Sequence, residues 1–286
     1  MSLAQTQPLV EPGQGRGVKD VFTHRFLLKL LVRKEIQVRY RGSVLGIFWS
    51  YIKPGIQFLV FYIAMGKFLK LDHGQSNYAI YLFSGIVIIN FFTEAFGNGA
   101  RSMVQNSGLI KKIYLPRQLF PISTVWVATV HFLPQLLILL GACLLVGWHP
   151  TLGSLFSVVA GFVIVALFSA GMGLLFATAN VFFRDSENLV DMLNMVVTWA
   201  SPVLYMWPMA KDAMPGWLFH LYESNPLTVA VELFHHGFYD PTLPAPLMPP
   251  HLYTVYLPVG LLISVITILL GDLAFRKLEG DFAQEL

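Results

Sequence analysis

Six long apolar runs are the feature that most constrains the fold of this 286-residue chain. They extend over 47–69, 78–96, 122–146, 152–176, 189–205 and 252–275. Most have the length of about 20 residues that an α-helix needs to cross roughly 30 Å of hydrocarbon. Only 12% of the residues are charged, whereas soluble domains carry about 25%. The sequence therefore predicts an all-α membrane protein with six transmembrane helices and excludes an ordinary soluble enzyme.

The first residues differ from this pattern. Residues 1–18 are polar and rich in glycine and glutamine, and they contain no cationic stretch followed by an apolar core and a cleavage site. We expect this segment to be a flexible tail that stays in the cytoplasm. Residues 19–286 then form a single transmembrane domain.

The basic residues are sorted between the two sides of the predicted topology. Six spans place both termini on one side, and sixteen of the nineteen Lys and Arg residues fall there, which leaves only Lys67, Lys70 and Lys211 on the other side. The sixteen are Arg16, Lys19, Arg25, Lys29, Arg33, Lys34, Arg39, Arg41, Lys53, Arg101, Lys111, Lys112, Arg117, Arg184, Arg276 and Lys277. The positive-inside rule then predicts that both termini are cytoplasmic.

Two segments outside the spans have their own patterns. Residues 19–40 carry Arg25, Lys29 and Arg33 at four-residue spacing opposite an apolar face, which predicts an amphipathic helix in the headgroup plane, either a generic anchor or a part of substrate access. Residues 207–250 contain eight prolines, and the apolar piece 227–239 is too short to cross. We expect re-entrant helices there, which form an outer gate or a loop folded over the spans.

Signatures of catalysis are missing. No phosphate-binding glycine loop, G-x-S-x-G or H-E-x-x-H motif occurs. Cys143 is the only cysteine, so no disulfide or cysteine metal site forms within one chain. Glu232 and His235 have the Glu-x-x-His spacing, but a di-iron site needs that motif twice and two further carboxylates. We therefore predict no catalytic residue, no metal site and no cofactor bound by this chain.

Rival classes of membrane protein are disfavoured by what the spans and loops lack. Glu94, Asp191 and Asp272 fall toward the cytoplasmic ends, and His131 is the one ionisable group well inside a span. A proton-coupled carrier would place a carboxylate near the midplane, and a channel would place polar residues there. A membrane-embedded glycosyltransferase or lipid-modifying enzyme needs an acidic or metal-binding cytoplasmic loop, but the loops here are short and basic.

Five short blocks carry a resemblance to a known family. They are Arg39-Tyr40-Arg41-Gly42-Ser43-Val44-Leu45-Gly46 with Trp49 and Pro54; Lys111-Lys112-Ile113-Tyr114-Leu115-Pro116-Arg117; Phe183-Arg184-Asp185; Ser201-Pro202-Val203-Leu204-Tyr205; and Asn225-Pro226-Leu227. In this order they resemble the permease subunits of polysaccharide-exporting ABC transporters of the ABC-2 type, which handle O-antigen, teichoic acid, capsule and galactan. The pattern departs at Phe234-His235-His236, where many relatives have a Phe-Arg pair.

The resemblance implies a half-transporter in a bacterial plasma membrane. Two copies of the chain would pair with two separately encoded ATPase subunits, which bind ATP and Mg²⁺; no nucleic acid is involved. It places the ATPase coupling region at 100–118 and the outer gate at 207–250. The coupling residues would be Arg101, Lys111, Lys112, Tyr114, Arg117, Arg184 and Asp185, and the gate residues Asn225, Pro226, Glu232 and His235.

The implied substrate is a polysaccharide linked to a polyprenyl diphosphate. Its phosphates would meet Arg25, Lys29, Arg33, Arg39 and Arg41, because arginine offers paired hydrogen bonds to phosphate. Phe48, Phe58, Tyr62 and Trp199 would line the channel, although each could instead face lipid or pack in the core. We expect Arg39→Ala with Arg41→Ala to lower export without preventing assembly. Export of another lipid or amphiphile is the alternative within the same family.

Overall fold

All regular elements of the described chain are helices. The computed structural model describes residues 17–72, 75–112 and 115–286, without the side chains of Lys19, Phe22 and Ala283. The first half contains α1 (Val18–Thr23), α2 (Arg25–Tyr40), α3 (Trp49–Phe61), α4 (Tyr78–Gln105), α5 (Ser107–Ile110) and α6 (Leu119–Leu145). The second contains α7 (Leu152–Phe182), α8 (Ser186–Val197), α9 (Trp207–Ala213), α10 (Gly216–Glu223), α11 (Pro226–Phe234), α12 (Leu257–Leu278) and α13 (Phe282–Glu285).

Five helical segments are long and apolar enough to cross a membrane. They are Gly46–Phe68, Tyr78–Gln105, Leu119–Leu145, Leu152–Phe182 and Leu252–Leu278. The first combines a 3-10 turn (Gly46–Phe48), α3 and a π-helical stretch (Tyr62–Phe68), and the last adds a π-helical turn (Leu252–Tyr256) before α12. These five segments correspond to five of the six predicted spans. The sequence stretch 189–205 is the exception.

Helix α4 lies at the centre of the bundle. Most of its residues are buried, whereas almost none of α3 is. Phe91 contacts Phe132 of α6 near its middle, and Thr124, near the start of α6, donates to the carbonyl of Ala95. Residues that lie further along α4 therefore meet residues that lie earlier in α6, so the two helices are antiparallel. The end of the bundle where α4 ends and α6 begins is called the basic end below, and the opposite one the aromatic end.

Helices α7 and α12 run parallel at very close distance. Tyr253 contacts Ser157 near the aromatic end, and Gly171 packs on Ile268 further along. A Cβ on Gly171 would lie 2.5 Å from the backbone nitrogen of Ile268, and one on Gly271 would lie 2.6 Å from the Gly171 carbonyl. Only glycine at both positions permits this approach.

The stretch 186–205 forms a shorter helix than the sequence predicts. Helix α8 has 12 residues and is followed by turns up to residue 205. At the basic end, Arg101 of α4 contacts Asp191 at 2.5 Å; at the aromatic end, the Tyr78 hydroxyl donates to the Leu204 carbonyl at 3.0 Å. The segment therefore runs antiparallel to α4 along most of its length. Gly97 lies against Asn194 and Gly85 against Val203, so nine residues of this segment accompany twelve of α4 and rise more per residue than an α-helix does.

Helix α2 packs along α6, so it does not lie wholly outside the bundle. Lys34 contacts Asn106 at the end of α4, and Tyr40, six residues later, reaches His131. His131 lies 12 residues into α6, about 18 Å at 1.5 Å per residue. The apolar residues Phe26 and Leu30 are exposed, as the interfacial prediction requires. Its C-terminal end departs from that prediction because Tyr40 and Arg39 find polar partners between the spans.

Helix α6 contains a proline, Pro121, in its first turn. The preceding helix α5 covers only Ser107–Ile110, and α6 begins at Leu119. Pro121 is tolerated because the first turn of a helix has no intrahelical acceptor for its missing N–H.

The proline-rich segment packs into the bundle at the aromatic end. All nine residues of α11 are buried, and a π-helical turn (His235–Tyr239) continues it. Asn225 caps α11 by accepting a hydrogen bond from the Leu227 N–H at 3.0 Å, and Pro226 occupies the first turn. Before α11, the short helices α9 and α10 are separated at Met214 and Pro215. Residues 207–239 thus form a compact, helical segment.

Candidate functional site

A polar cavity of about 540 Å³ lies between α2, α3, α4 and α6. It extends from Trp49, at the start of α3, to Gln57 of the same helix, Asn90 of α4 and Gln135 of α6. Its volume is within the range of about 300–1,000 Å³ that small-molecule sites occupy. The remaining lining residues are Arg39, Tyr40, Ser43, Ser50, Lys53, Pro54, Thr93, Glu94 and His131.

Three span helices turn polar stripes toward this cavity. Helix α3 contributes Ser50, Lys53 and Gln57, and α4 contributes Asn90, Thr93 and Glu94. Helix α6 contributes His131 and Gln135. Residues three, four and seven positions apart share one face of an α-helix. Each stripe is therefore a continuous polar face on an otherwise apolar helix.

One network of charged and polar groups joins four helices at the cavity wall. The Arg39 guanidinium is paired with the Glu94 carboxylate, and His131 Nδ1 donates to Glu94 Oε1 at 2.6 Å. With Nδ1 as donor, His131 Nε2 accepts from the Tyr40 hydroxyl at 2.9 Å, and that oxygen lies 2.7 Å from Ser50 Oγ. Because each buried group has a partner, the network fixes the end of α2 against α3, α4 and α6.

The cavity retains one uncompensated cation and one unpartnered acceptor. Arg39 is neutralised by Glu94, whereas Lys53 makes no ion pair with any described residue. Gln135 donates its amide N–H to the His131 carbonyl, but its Oε1 atom is buried and has no hydrogen-bond partner in the described chain. A buried acceptor without a partner costs free energy. Lys53 is thus suited to an anionic group, and the Gln135 oxygen to a hydrogen-bond donor such as a hydroxyl.

A second polar cluster lies under the segment 207–239 at the aromatic end. Both carboxyl oxygens of Glu223 and Oε1 of Glu232 are buried without a hydrogen-bond partner among the described residues. Burial, and then the neighbouring Glu232, raises the pKa of Glu223 to about 8. Burial lowers the pKa of His235 to about 3, and its ring stacks on Tyr81 at 3.7 Å. Near pH 7 this cluster is therefore mostly uncharged.

Comparison with known proteins places the chain in a family. The ABC-2 type transporter family matches residues 27–239, which include the cavity and the segment at the aromatic end. The chain belongs to the ABC-2 type transporter family.

Relatives of this ABC-2 type transporter carry names from polysaccharide export. It is 27% identical over 264 residues to the O-antigen export system permease protein RfbA of Klebsiella pneumoniae, covering 91% of this chain and 95% of the relative. It is 29% identical to RfbA of Myxococcus xanthus, with 80% and 86% covered. It is 20% identical to the capsule polysaccharide export inner-membrane protein CtrC of Neisseria meningitidis, with 78% and 86% covered.

The predicted phosphate-binding cations occupy two environments in this ABC-2 type transporter. Arg25, Lys29, Arg33 and Arg41 are exposed along and just after α2. Arg39 lies apart from them because its guanidinium is already paired with Glu94 beside the cavity. The structure therefore brings only Arg39 of the predicted set to the cavity, and in a paired form.

The four predicted channel-lining aromatics lie away from the cavity. Phe58 stacks on Tyr62 at 5.8 Å and meets Phe83 of α4 edge-on. Trp199 is 55% exposed and meets Phe61 edge-on. Phe48 is 63% exposed at the start of the first span. These rings lie on the open flank formed by α3 and the segment after α8, where their role as channel lining stays a prediction.

The predicted ATPase-coupling residues gather at the basic end, with differing availability. Lys111, Lys112, Arg184 and Asp185 are exposed. Arg101, by contrast, is paired with Glu187 and Asp191 of α8. Arg117 donates to the Glu279 carbonyl and lies 6.0 Å from the Phe282 ring centre. Tyr114 and most of the tail 1–18 lie outside the described residues.

The polar faces of the span helices that line the cavity were missed in the sequence. The expectation that the spans lack polar residues near their middle is wrong, because Gln57, Asn90 and Gln135 lie there. The sequence signal for this polar face was the helical spacing of Ser50, Lys53 and Gln57. An average of hydropathy over the whole apolar run hides this spacing. Metal ligation finds no support in the described chain, where no three His, Cys, Asp or Glu residues group together.

Proposed function

We propose that this chain is the transmembrane subunit of an ATP-driven exporter that moves lipid-linked polysaccharide across the bacterial inner membrane. The observation that carries this proposal is the similarity to O-antigen export permeases over 91% of the chain, within the ABC-2 type family. The chain itself is not the ATPase, because such permeases work with a separate ATPase subunit. That partner holds the ATP and Mg²⁺.

The proposed topology has six crossings with both termini in the cytoplasm. Five crossings are the span-length helices, and the sixth is α8 with the turns after it. This count is supported by the contacts at the two ends of that segment, Asp191 with Arg101 and Leu204 with Tyr78. The orientation is supported by the concentration of lysine and arginine at the basic end.

The proposed assembly contains two copies of this chain and two ATPase subunits. Helix α3 exposes Ile56, Leu59 and Val60, and the α8 segment exposes Met192 and Met195. A contiguous apolar flank of this kind fits a second copy around a shared channel. The exposed Lys111, Lys112, Arg184 and Asp185 would meet the ATPase at the basic end.

The proposed substrate path begins at the exposed cations of α2. Arg25, Lys29, Arg33 and Arg41 would collect the diphosphate of a polyprenyl-linked glycan at headgroup level. At the aromatic end the segment 207–250, with Asn225, Pro226, Glu232 and His235, would act as the outer gate. ATP binding would drive opening by favouring the closed ATPase dimer, because a ligand shifts an equilibrium only through its differential affinity.

Complementation tests the proposed function directly. The chain and the ATPase encoded beside it are expressed together in a host that makes a lipid-linked polysaccharide but lacks its own exporter. We expect the ATPase to copurify with this chain and the polysaccharide to reach the cell surface. If no polysaccharide reaches the cell surface although the complex is stable and hydrolyses ATP, polysaccharide export is contradicted. Another lipid or amphiphile would then be favoured as the substrate.

A mutational test separates phosphate contact from folding. Arg33→Ala with Arg41→Ala removes two exposed cations that make no ion pair with described residues. We expect lower export with an unchanged amount of assembled complex. Lys70→Ala, at the opposite end of the bundle, is the control and should export normally. Undiminished export by the double variant would contradict the role of α2 in phosphate contact.

A further inference from the structure

The cavity between α2, α3, α4 and α6 has the features of a ligand site that its structural role does not require. An ordinary helix interface inside a membrane is apolar, with few polar side chains. Here three stripes of polar side chains face one space of about 540 Å³. The network around Glu94 accounts for the presence of Arg39, Tyr40, Ser50 and His131 at the cavity. It does not account for the presence of Lys53, Gln57, Asn90 or Gln135.

The charge of the cavity favours an anion. Two cations, Arg39 and Lys53, and one carboxylate, Glu94, line it. Since Arg39 and Glu94 neutralise each other, the remaining positive charge belongs to Lys53. Lys53 is exposed at the edge of the cavity, and its ammonium group can donate hydrogen bonds to a phosphate oxygen.

The uncharged lining favours a ligand with hydroxyl groups. Gln57, Asn90 and Gln135 are amides, each with donors and an acceptor, and Ser43 and Thr93 add hydroxyls. Sugar hydroxyls also donate and accept, so they match such a set on both counts. Oε1 of Gln135 is buried at the cavity wall without a partner in the described chain, so it would accept one of those hydroxyls once the side chain turns toward the ligand. Trp49, at the mouth, offers an apolar ring face of the kind on which sugars stack.

We propose that this cavity binds the phosphorylated first sugar of the exported lipid-linked glycan, with Lys53 on the phosphate and Gln57, Asn90 and Gln135 on the sugar hydroxyls. The inference rests on the proposed function and adds a defined site to it. Arg39 has a different role from that predicted from the sequence: it holds Glu94 and His131 in place as a positioning residue. The cations of α2 would receive the headgroup before it reaches Lys53.

Equilibrium binding to the purified permease–ATPase complex in nanodiscs tests this site. The probes are radiolabelled polyprenyl diphosphate and the same lipid carrying one N-acetylhexosamine. We expect Lys53→Gln to weaken binding of both probes about tenfold, because both carry the phosphates. Gln135→Leu, which keeps similar bulk without polar groups, is expected to weaken only the sugar-bearing probe, by about three- to tenfold.

Matched variants control for folding and for general charge. Lys53→Arg keeps the positive charge and should bind both probes within about twofold of the wild type. Lys70→Gln and Gln284→Leu make the same chemical changes at exposed positions far from the cavity and should bind normally. Size-exclusion profiles and melting temperatures identify any variant that does not assemble.

Three outcomes would overturn the proposal. If Lys53→Gln and Gln135→Leu bind both probes like the wild type, the cavity is not the site, although polysaccharide export stands. If phosphatidylglycerol displaces the sugar-bearing probe as well as unlabelled probe does, the cavity holds general lipid headgroups. If the wild-type complex binds neither probe, both this site and the proposed substrate class fail.

Discussion

Arg39, Glu94 and His131, three ionisable residues between the spans of this ABC-2 permease, are held in one network. His131, which the sequence marks as the one ionisable group well inside a span, contacts both Glu94 and Tyr40. Glu94 also pairs with Arg39. When one of these groups is replaced, its partner loses an ion pair or a hydrogen bond. Single substitutions here therefore affect stability as well as substrate contact.

Arg39 and Arg41, two positions apart in the sequence, should therefore behave differently when replaced. Arg39→Ala removes one of the two partners of Glu94, which keeps its contact with His131, at a cost of about 1 kcal/mol, whereas Arg41 makes no ion pair with a described residue. We expect a lower melting temperature for Arg39→Ala and an unchanged one for Arg41→Ala in the purified complex. Arg39→Ala with Glu94→Gln should recover part of the loss. Equal melting temperatures for the two single variants would contradict the pairing.

Glu223 should make stability depend on pH. Its pKa is raised to about 8 by burial and by Glu232, while an unfolded chain has a glutamate pKa near 4.3. The folded state therefore holds the proton more tightly, so its stabilising contribution is present below about pH 4 and is lost as pH rises toward 8. We expect the melting temperature to fall over pH 5–8, and to fall less in Glu223→Gln. A Glu223→Gln profile parallel to wild type would exclude this carboxyl as the cause.

Helix contacts in this permease are set by a few residues at close crossings. Hydropathy located the helices α4, α6, α7 and α12, because an apolar run of span length has few other stable states in a membrane, but it ended α4 nine residues and α7 six residues too early. It did not locate the end of α8, where turns after Val197 replace helix. Those turns are stabilised from α4, since Tyr78 and Tyr81 donate to carbonyls of residues 202–205.

The α7–α12 crossing offers a sharp test at this scale. Gly171→Ala would place a Cβ 2.5 Å from a backbone atom of α12, whereas Gly141→Ala in α6 meets nothing within 4 Å. Overpacking costs about 1–3 kcal/mol, and alanine in an open helix position gains up to about 1 kcal/mol. We expect Gly171→Ala to lower the melting temperature and the yield, and Gly141→Ala to preserve both. Tolerance of Gly171→Ala would show that the two helices are further apart.

The whole molecule has two chemically different ends, and its orientation can be measured. Cys143 is buried and can be replaced by alanine, after which Lys112→Cys and Asp212→Cys place single thiols on exposed positions at opposite ends. In spheroplasts we expect a membrane-impermeant maleimide to label the thiol at 212 at once and the thiol at 112 only after permeabilisation. The reverse pattern would invert the proposed topology.

Composition and local patterns by themselves determined that this protein is an all-helical membrane protein, where five of its spans lie and where its basic residues concentrate. These properties follow because hydropathy is a sum over neighbouring residues and each span must satisfy its backbone hydrogen bonds internally. The short α8, the entry of Tyr40 between the spans and the meeting of Ser50, Asn90 and Gln135 at one cavity were decided only by the tertiary structure. The sequence of one helix does not show which groups its polar stripe contacts. Only the packing of α3, α4 and α6 determines what the stripe faces.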